Sequence, residues 1–385
     1  MKKIISVLCT ACLIAGSTAT AGFKVQSVDG DLVKNCKSAY LMDYDSGECV
    51  YKQNETVRMP IASVCKVMTL TLAMEAIHNG KISLDDTVTA SENAAGMGGS
   101  QVFLGSGCKY SVDQLLKSIV VCSANDSCVA ISEAVAGSEE SFVAQMNKKA
   151  SELGCSDTLF ANCTGLPKEP QYSCAHDVAL MFKNLLSYEN YFNYSRIWLE
   201  DFVHPDNRTT SMTNTNKLIR RYQSCDGGKT GFTNEAGFCL AATAKKDNLR
   251  FISVVLGAES SDDRFASTVN MFNYGFANYK NKIVLDKDVT LNDEFTVSGG
   301  KKHSFAVCPE RNSYVFSAAD KSPDVTHIII AYDVKAPVQK GQNVGKIEVY
   351  KDGVLYDTVN VVSAEDVQKA GFGDYFKDIS ENWAI

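Results

Sequence analysis

The chain has 385 residues, of which 45% are hydrophobic and 22% are charged. This is the composition of a globular protein of two or three domains, and it excludes global disorder. The 38 basic and 45 acidic residues leave a formal charge of −7 without any strongly basic stretch, so a nucleic-acid partner is disfavoured.

The first 21 residues have the pattern of a secretory signal peptide. Two lysines precede an apolar run over residues 4–15, and an A-x-A cleavage signal occupies residues 19–21. The apolar run is short for a membrane span. We therefore expect export and a mature chain that begins at Gly22; the alternative is a buried N-terminal helix.

Residues 36–280 combine strand and helix patterns. SAYLMDY and ECVYKQ flank a hairpin turn at residues 45–47, and GFCLAATAKK and LRFISVVLG flank a second turn at Asp247-Asn248. Strands at both ends of a helical middle predict an α/β (α+β) domain in which a helical cluster packs on an antiparallel sheet. The apolar periodicity predicts helices over 61–78, 112–121, 129–136, 142–153, 178–186 and 263–279.

After residue 282 the pattern changes to short strands broken by Gly, Asp and Pro, with a tight hairpin signal at Lys351-Asp352-Gly353. This pattern predicts a small all-β domain over 283–363. Residues 364–385 are predicted to form an amphipathic C-terminal helix. Its apolar stripe would consist of Val367, Ala370, Phe372, Tyr375, Phe376, Ile379 and Trp383.

Two of the 14 cysteines lie in the signal segment, which leaves twelve in the mature chain. An even number of cysteines in an exported protein is compatible with disulfides. Several of them lie inside apolar runs such as SVCKVM and GFCLAA, however, where cysteine acts as a small hydrophobic residue. We favour free, buried thiols over several disulfides. The mature chain contains neither C-x-x-C nor H-E-x-x-H, so a zinc site is not predicted.

Three short motifs contain the candidate catalytic chemistry. In Ser63-Val64-Cys65-Lys66, a three-residue step at a helix start puts the serine and the lysine on one face, and the helix dipole favours a developing alkoxide. Ser123-Ala124-Asn125 lies on a predicted loop between helices. Lys229-Thr230-Gly231 begins the β-rich region, where glycines let a ligand approach the backbone. Each motif alone is equally compatible with a capping serine, a turn or a strand edge.

Together and in this order, the motifs are the S-x-x-K, S-x-N and K-T-G set of penicillin-binding proteins and β-lactamases. Over about residues 36–365 the chain resembles the low-molecular-weight penicillin-binding proteins, which are serine-type D-Ala-D-Ala carboxypeptidases of peptidase family S11. SENAAGMGGSQVFLGSG, TNTNKLIRRY and GKTGFT are similar to segments of that family, and KAPVQKGQNVGKIEVYKDG is similar to its β-rich stalk. The resemblance implies a penicillin-binding/β-lactamase-like transpeptidase domain, and it implies neither a metal nor a cofactor.

The resemblance also implies roles for individual residues. Ser63 would be the nucleophile, Lys66 its base and Ser123 the proton relay to the leaving amine. The oxyanion hole would consist of the backbone N–H groups of Ser63 and Phe232. The implied substrate-binding residues are Asn125, Lys229, Thr230, Gly231 and Arg264.

Two of these residues, and Ala124 between two of them, leave alternatives open. Arg264 could instead be a surface arginine paired with Asp262 or Asp263. Ala124 stands where glycine is frequent in the family, and it should be tolerated unless its backbone needs a positive φ. Phe232 stands where some members have histidine, which changes the mouth of the site.

The implied substrates are peptidoglycan stem peptides ending in D-Ala-D-Ala, whose trimming limits cross-linking, and β-lactams would be covalent inhibitors. We expect the protein at the cell wall or the outer face of the cytoplasmic membrane, with peripheral membrane contact through the C-terminal helix. Two alternatives remain. A β-lactamase-like hydrolase is disfavoured because no E-x-x-L-N motif lies between Ser123 and Lys229. A DD-endopeptidase acting on cross-links would use the same site.

Overall fold

The computed structural model describes residues 32–291 and 295–376, which form two compact units that divide between residues 277 and 278. The predicted signal peptide and the end of the predicted tail helix lie outside the described residues. Among the described helices, none is long and apolar enough to cross a membrane.

The first unit is built on a five-stranded antiparallel sheet in the order β2-β1-β9-β8-β7. Its central strands are almost fully buried, and β7 forms one edge. Two short hairpins, β3-β4 and β5-β6, stand apart from this sheet. Strands β1 to β9 are Ser38–Asp43, Cys49–Gln53, Thr87–Thr89, Lys109–Ser111, Leu199–Val203, Thr209–Thr213, Cys225–Thr233, Gly237–Lys246 and Leu249–Ala258.

The helices of this unit surround α1, which is apolar on nearly all sides and contacts α4, α5 and α6. A helix without a polar face belongs in the core. The 3-10 helix Ala62–Cys65 leads into α1, so the helix predicted over 61–78 begins with a tighter turn. Helices α1 to α9 are Lys66–His78, Glu92–Ala95, Val112–Cys122, Asn125–Ala136, Glu139–Glu152, Ala175–Leu186, Tyr191–Ser195, Leu218–Arg221 and Ser261–Asn278.

The second unit contains only strands and the start of a short C-terminal helix among its described residues. Its largest sheet has the order β13-β18-β17-β15, and its core is rich in valine. The predicted combination of a helical cluster on an antiparallel sheet followed by an all-β domain is confirmed. Strands β10 to β18 are Tyr279–Leu285, Phe295–Ser298, Ser304–Phe305, Val307–Pro309, Ser313–Ala318, Val325–Ala331, Val334–Lys335, Asn343–Lys351 and Val354–Ser363.

The tail differs from its prediction. Residues 364–370 are not helical, and helix is found only over residues 372–376 of the described part. Val367 exchanges two backbone hydrogen bonds with Val338 and is 2% exposed in the core of the second unit. The prediction of a helix from residue 364 was therefore wrong, because the apolar side chain of Val367 serves a β core instead of a helix face.

The twelve cysteines among the described residues are all free thiols in the structure. Seven of them are buried: Cys65, Cys128, Cys155, Cys163, Cys174, Cys225 and Cys239.

Candidate active site

Ser63 and Lys66 meet at the start of α1. Lys66 is fully buried, and its Nζ lies 3.0 Å from Ser63 Oγ. The chain enters this turn through Ala62, whose φ of 47° lies in the left-handed region that alanine rarely adopts. A β-carbon at Gly165 would fall 2.0 Å from the carbonyl oxygen of Ala62. The strained turn therefore packs directly against Gly165, where no side chain would fit.

The amine of Lys66 has two further partners. It donates to Asn125 Oδ1 at 2.7 Å and to the carbonyl of Thr164 at 2.5 Å. The Thr164 carbonyl was not predicted from the sequence. Every residue has a backbone carbonyl, so no sequence motif marks this one as a hydrogen-bond acceptor. The loop that presents it is held by Asn162, whose Oδ1 accepts from the N–H groups of Thr164 and Gly165.

Ser123 and Lys229 form a second serine–lysine pair. Ser123 ends α3 in the left-handed conformation, with φ of 66°, and its Oγ accepts from Lys229 Nζ at 2.8 Å. Burial, followed by the charge of Lys66, holds the pKa of the Lys229 ammonium well below its usual value. Ala124 has φ of −57°, so alanine is accommodated at this position without backbone strain.

Strand β7 runs along the Ser63 turn. A β-carbon at Gly231 would lie 3.0 Å from the backbone nitrogen of Ser63. Phe232, the next residue, is 52% exposed and packs on Phe238 in a tilted arrangement with ring centroids 4.3 Å apart. The predicted oxyanion residues therefore lie on neighbouring segments, and the exposed ring of Phe232 packs on the half-buried ring of Phe238 beside them.

Thr230 is held by a residue that the sequence analysis did not assign. Its Oγ1 donates to Thr215 Oγ1 at 2.7 Å. Thr215 belongs to the TNTNK stretch, which is similar to a segment of the family. That similarity is the sequence feature that could have indicated Thr215 as a site residue.

Arg264 lies in the first turn of α9 and is only 8% exposed. Its Nη1 donates to the carbonyls of Gly231 and Cys239, each at 3.2 Å. Asp263 accepts from Asn35 and Ser260. The alternative of an exposed arginine paired with an aspartate was therefore wrong, and Arg264 instead braces the strand that carries the K-T-G motif.

The structure thus brings all the predicted site residues together from four segments of the first unit. Across residues 32–291 and 295–376, no group of three or more His, Cys, Asp or Glu side chains could hold a metal ion. The chemistry available at the site is that of two serine–lysine pairs, one amide and the backbone N–H groups of a turn and a strand edge.

A sequence profile of the D-alanyl-D-alanine carboxypeptidase family matches residues 25–260. The chain belongs to this family. It is thus a serine-type carboxypeptidase, as the motifs indicated. A second profile, that of the C-terminal domain of penicillin-binding protein 5, matches residues 279–369.

Curated relatives and solved structures agree with the profiles. The chain is 38% identical to D-alanyl-D-alanine carboxypeptidase DacF of Bacillus subtilis, covering 100% of this chain and 99% of the relative. It is 31% identical to DacC of Escherichia coli, covering 92% and 89%. Penicillin-binding protein 5 from Haemophilus influenzae has a similar structure, with a TM-score of 0.68, 29% identity and coverage of 89% of this chain and 100% of that one.

Proposed function

We propose that this carboxypeptidase removes the terminal D-Ala from peptidoglycan stem peptides through an acyl-enzyme on Ser63. The observation that carries the proposal is the set of contacts around Lys66. A neutral amine has two N–H groups and one lone pair. Once Lys66 has given up a proton, its two remaining N–H groups can keep Asn125 Oδ1 and the Thr164 carbonyl as acceptors. Its lone pair can then take the proton of the Ser63 hydroxyl, whose oxygen lies 3.0 Å away and accepts from the ammonium form.

In the acylation step, Ser63 Oγ attacks the carbonyl carbon of the penultimate D-Ala while its proton passes to Lys66. The amide bond then breaks: Ser123 gives its hydroxyl proton to the leaving amine of the terminal D-Ala and takes back the proton that Lys66 received from Ser63, so that Lys66 is neutral again for deacylation. Lys229 donates to Ser123 Oγ, so it can keep that hydroxyl oriented. Water afterwards hydrolyses the ester and restores Ser63.

Substrate binding follows the edge of β7. Lys229, Thr230 and Gly231 would receive the terminal carboxylate, Asn125 an amide of the substrate, and Arg264 would support the carboxylate end by bracing Gly231. The N–H groups of Ser63 and Phe232 would stabilise the oxyanion, a type of contact worth a factor of about 10² to 10³ in rate.

The same acylation would make β-lactams covalent inhibitors of this chain. Penicillin-binding protein D2 of Listeria monocytogenes, 29% identical with a TM-score of 0.58 over 64% of this chain and 100% of that one, was solved in its ampicillin-bound form. By analogy, we propose that penicillins acylate Ser63.

The proposed location is the outer side of the cytoplasmic membrane, since the start of the chain has the pattern of a signal peptide. Two aromatic side chains near the C-terminus, Phe372 and Phe376, are 89% and 69% exposed. We propose that they contribute to a weak peripheral membrane contact.

The decisive experiment is release of D-Ala from a soluble pentapeptide ending in D-Ala-D-Ala, together with labelling by a fluorescent penicillin. We expect both from the mature chain and neither from Ser63→Ala. Ser187→Ala, which removes an exposed hydroxyl at the end of α6, is the matched control and should behave as the unmutated protein. Absence of D-Ala release and of labelling in the unmutated protein would refute the proposal.

The same assays separate the two alternatives. Rapid turnover of penicillin without a stable label would favour a β-lactamase-like hydrolase. Faster cleavage of a cross-linked dimer than of the pentapeptide would favour an endopeptidase.

A further inference from the structure

The carboxylate of Asp126, immediately after Asn125, is completely buried and is used entirely by backbone N–H groups. Its Oδ2 accepts from Val102 and from Leu104, each at 3.1 Å, and its Oδ1 accepts from Ser127 at 2.9 Å. Asp126 is 0% exposed. A carboxylate presents only acceptors, and bonds to a charged acceptor are about twice as strong as neutral ones.

Asn125 holds the same loop from the other side. Its Nδ2 donates to the carbonyl of Gly98 at 2.7 Å, and its backbone N–H donates to the carbonyl of Ser100 at 2.7 Å. The segment 98–104 is therefore fastened at four points to two consecutive residues at the start of α4. Because Nδ2 is fixed by Gly98, the amide is oriented so that Oδ1 faces Lys66 Nζ.

The loop is held against its own conformational preference. Phe103 lies between the two residues that donate to Asp126, and its φ of 65° is a left-handed value that a bulky side chain rarely adopts. Strain of this kind persists only where the surrounding contacts over-determine the backbone. Without the carboxylate, relief of this strain would draw the loop away from Asn125.

We propose that Asp126 is a positioning residue for acylation. It fastens the 98–104 loop to α4 and thereby keeps the Asn125 amide on the amine of Lys66. It touches neither Ser63 nor Lys66. This inference rests on the proposed Ser63–Lys66 chemistry, but it concerns how that chemistry is held in place.

The first test compares Asp126→Asn with Asp177→Asn. Asn offers one acceptor oxygen where three N–H groups need acceptors, so the loop should loosen. Asp177 is an equally buried carboxylate in the first turn of α6, and it also accepts a backbone N–H and a hydroxyl, but far along the chain from the motifs. Both variants should lose thermal stability, which controls for the general cost of removing a buried carboxylate.

Only Asp126→Asn should acylate slowly. We expect its second-order rate constant with penicillin to fall at least tenfold, and its kcat on pentapeptide to fall similarly. KM should change less than kcat, because the carboxylate site on β7 is untouched and only the Asn125 contact with the substrate amide is disturbed. The final extent of labelling gives the folded fraction, so rates refer to folded protein. Asp177→Asn should keep both rates within twofold of the unmutated protein.

The second test perturbs the loop without touching Asp126. A β-carbon at Gly99, where φ is 76°, would fall 2.8 Å from Asn125 Nδ2, whereas one at Gly107, where φ is 74°, would meet nothing within 4 Å. Gly99→Ala and Gly107→Ala therefore cost similar backbone strain, and only the first reaches Asn125. We expect slow acylation from Gly99→Ala alone.

Normal acylation by folded Asp126→Asn would overturn the proposal. If that variant yields no folded protein, the two glycine variants provide the test. Equal rates of acylation by penicillin for Gly99→Ala and Gly107→Ala would overturn the proposal. Because the unmutated protein is assayed beside each variant, failure of the Ser63 chemistry itself would be visible as a separate result.

Discussion

Gly231 packs on the Ser63 turn so closely that no side chain fits between them. A β-carbon at Gly231 would lie 2.8 Å from the carbonyl oxygen of Ile61 and 3.0 Å from the backbone nitrogens of Ser63 and Val64. These are backbone atoms, which cannot rotate away. The edge of β7 and the start of α1 are therefore held at a separation that a single methyl group would change.

Gly231→Ala should push β7 away from Ser63 and so misplace the two proposed oxyanion donors. We expect the rate of acylation by penicillin to fall on the order of 100-fold, the effect of losing one such donor. The measurement is the rate of fluorescent-penicillin labelling. Gly373→Ala, whose β-carbon would meet nothing within 4 Å, is the control, and equal rates for the two variants would show that this contact does not set the oxyanion geometry.

The sequence predicted the main helices and the reacting side chains because both depend on residue type. S-x-x-K, S-x-N and K-T-G name chemical groups, and the apolar periodicity of a helix such as α3 is strong. The carbonyls of Thr164, Gly98 and Ser100 could not be predicted, since any residue provides a carbonyl and only tertiary structure aims it. The β3-β4 and β5-β6 hairpins were missed because they are short and largely exposed.

Lys229→Met should exchange activity for stability. The pKa of the Lys229 ammonium is lowered in the folded protein, first by burial and then by Lys66. A base with a lowered folded pKa binds fewer protons folded than unfolded, so stability rises with pH up to the unfolded value near 10.5. Methionine removes this cost, a common trade-off at functional sites.

We expect Lys229→Met to melt at a higher temperature than the unmutated protein at pH 7 and to lose penicillin labelling at least 100-fold. The gain in melting temperature should shrink as the pH approaches 10. A lower melting temperature at pH 7 would mean that the bonds to Ser123 and Thr230 outweigh the cost of burial.

Asp43 should make stability fall as the pH rises. Burial raises the pKa of its carboxyl to about 6, and its Oδ1 has no partner within the described residues. The folded protein therefore binds a proton that the unfolded chain releases above about pH 4. Stability is full below that value, decreases between about pH 4 and 6, and the total loss is on the order of 2–3 kcal/mol.

Asp43→Asn should accordingly melt at a higher temperature than the unmutated protein at pH 7.5, and this advantage should diminish at pH 4.5. Asp177→Asn should show no such pH-dependent advantage between these two values. Hydrogen bonds from His176 and Thr158 lower the pKa of Asp177 below its usual 3.8 despite its burial, so its ionisation affects stability only below about pH 4. Melting curves at the two pH values test both. An Asp43→Asn advantage that does not change with pH would exclude ionisation of Asp43 as the cause.

The structure indicates that substitution of side chains in the tail is a better test of membrane contact than truncation. Truncation after Ser363 would remove Val367 from the core of the second unit, so loss of binding could reflect damage to that unit. Replacing both Phe372 and Phe376 by serine removes the exposed aromatic rings alone. Each fully buried aromatic side chain contributes roughly 1.5–3 kcal/mol.

We expect the mature chain to float weakly with liposomes and the double-serine variant not to float. Acidic residues outnumber basic ones around these rings in the sequence, so flotation should change little between low and high salt, unlike that of a polybasic anchor. Serine at both Val354 and Leu355, which are 69% and 52% exposed on another hairpin, is the matched control and should leave flotation unchanged. Equal flotation of all three proteins would exclude Phe372 and Phe376 as the membrane contact.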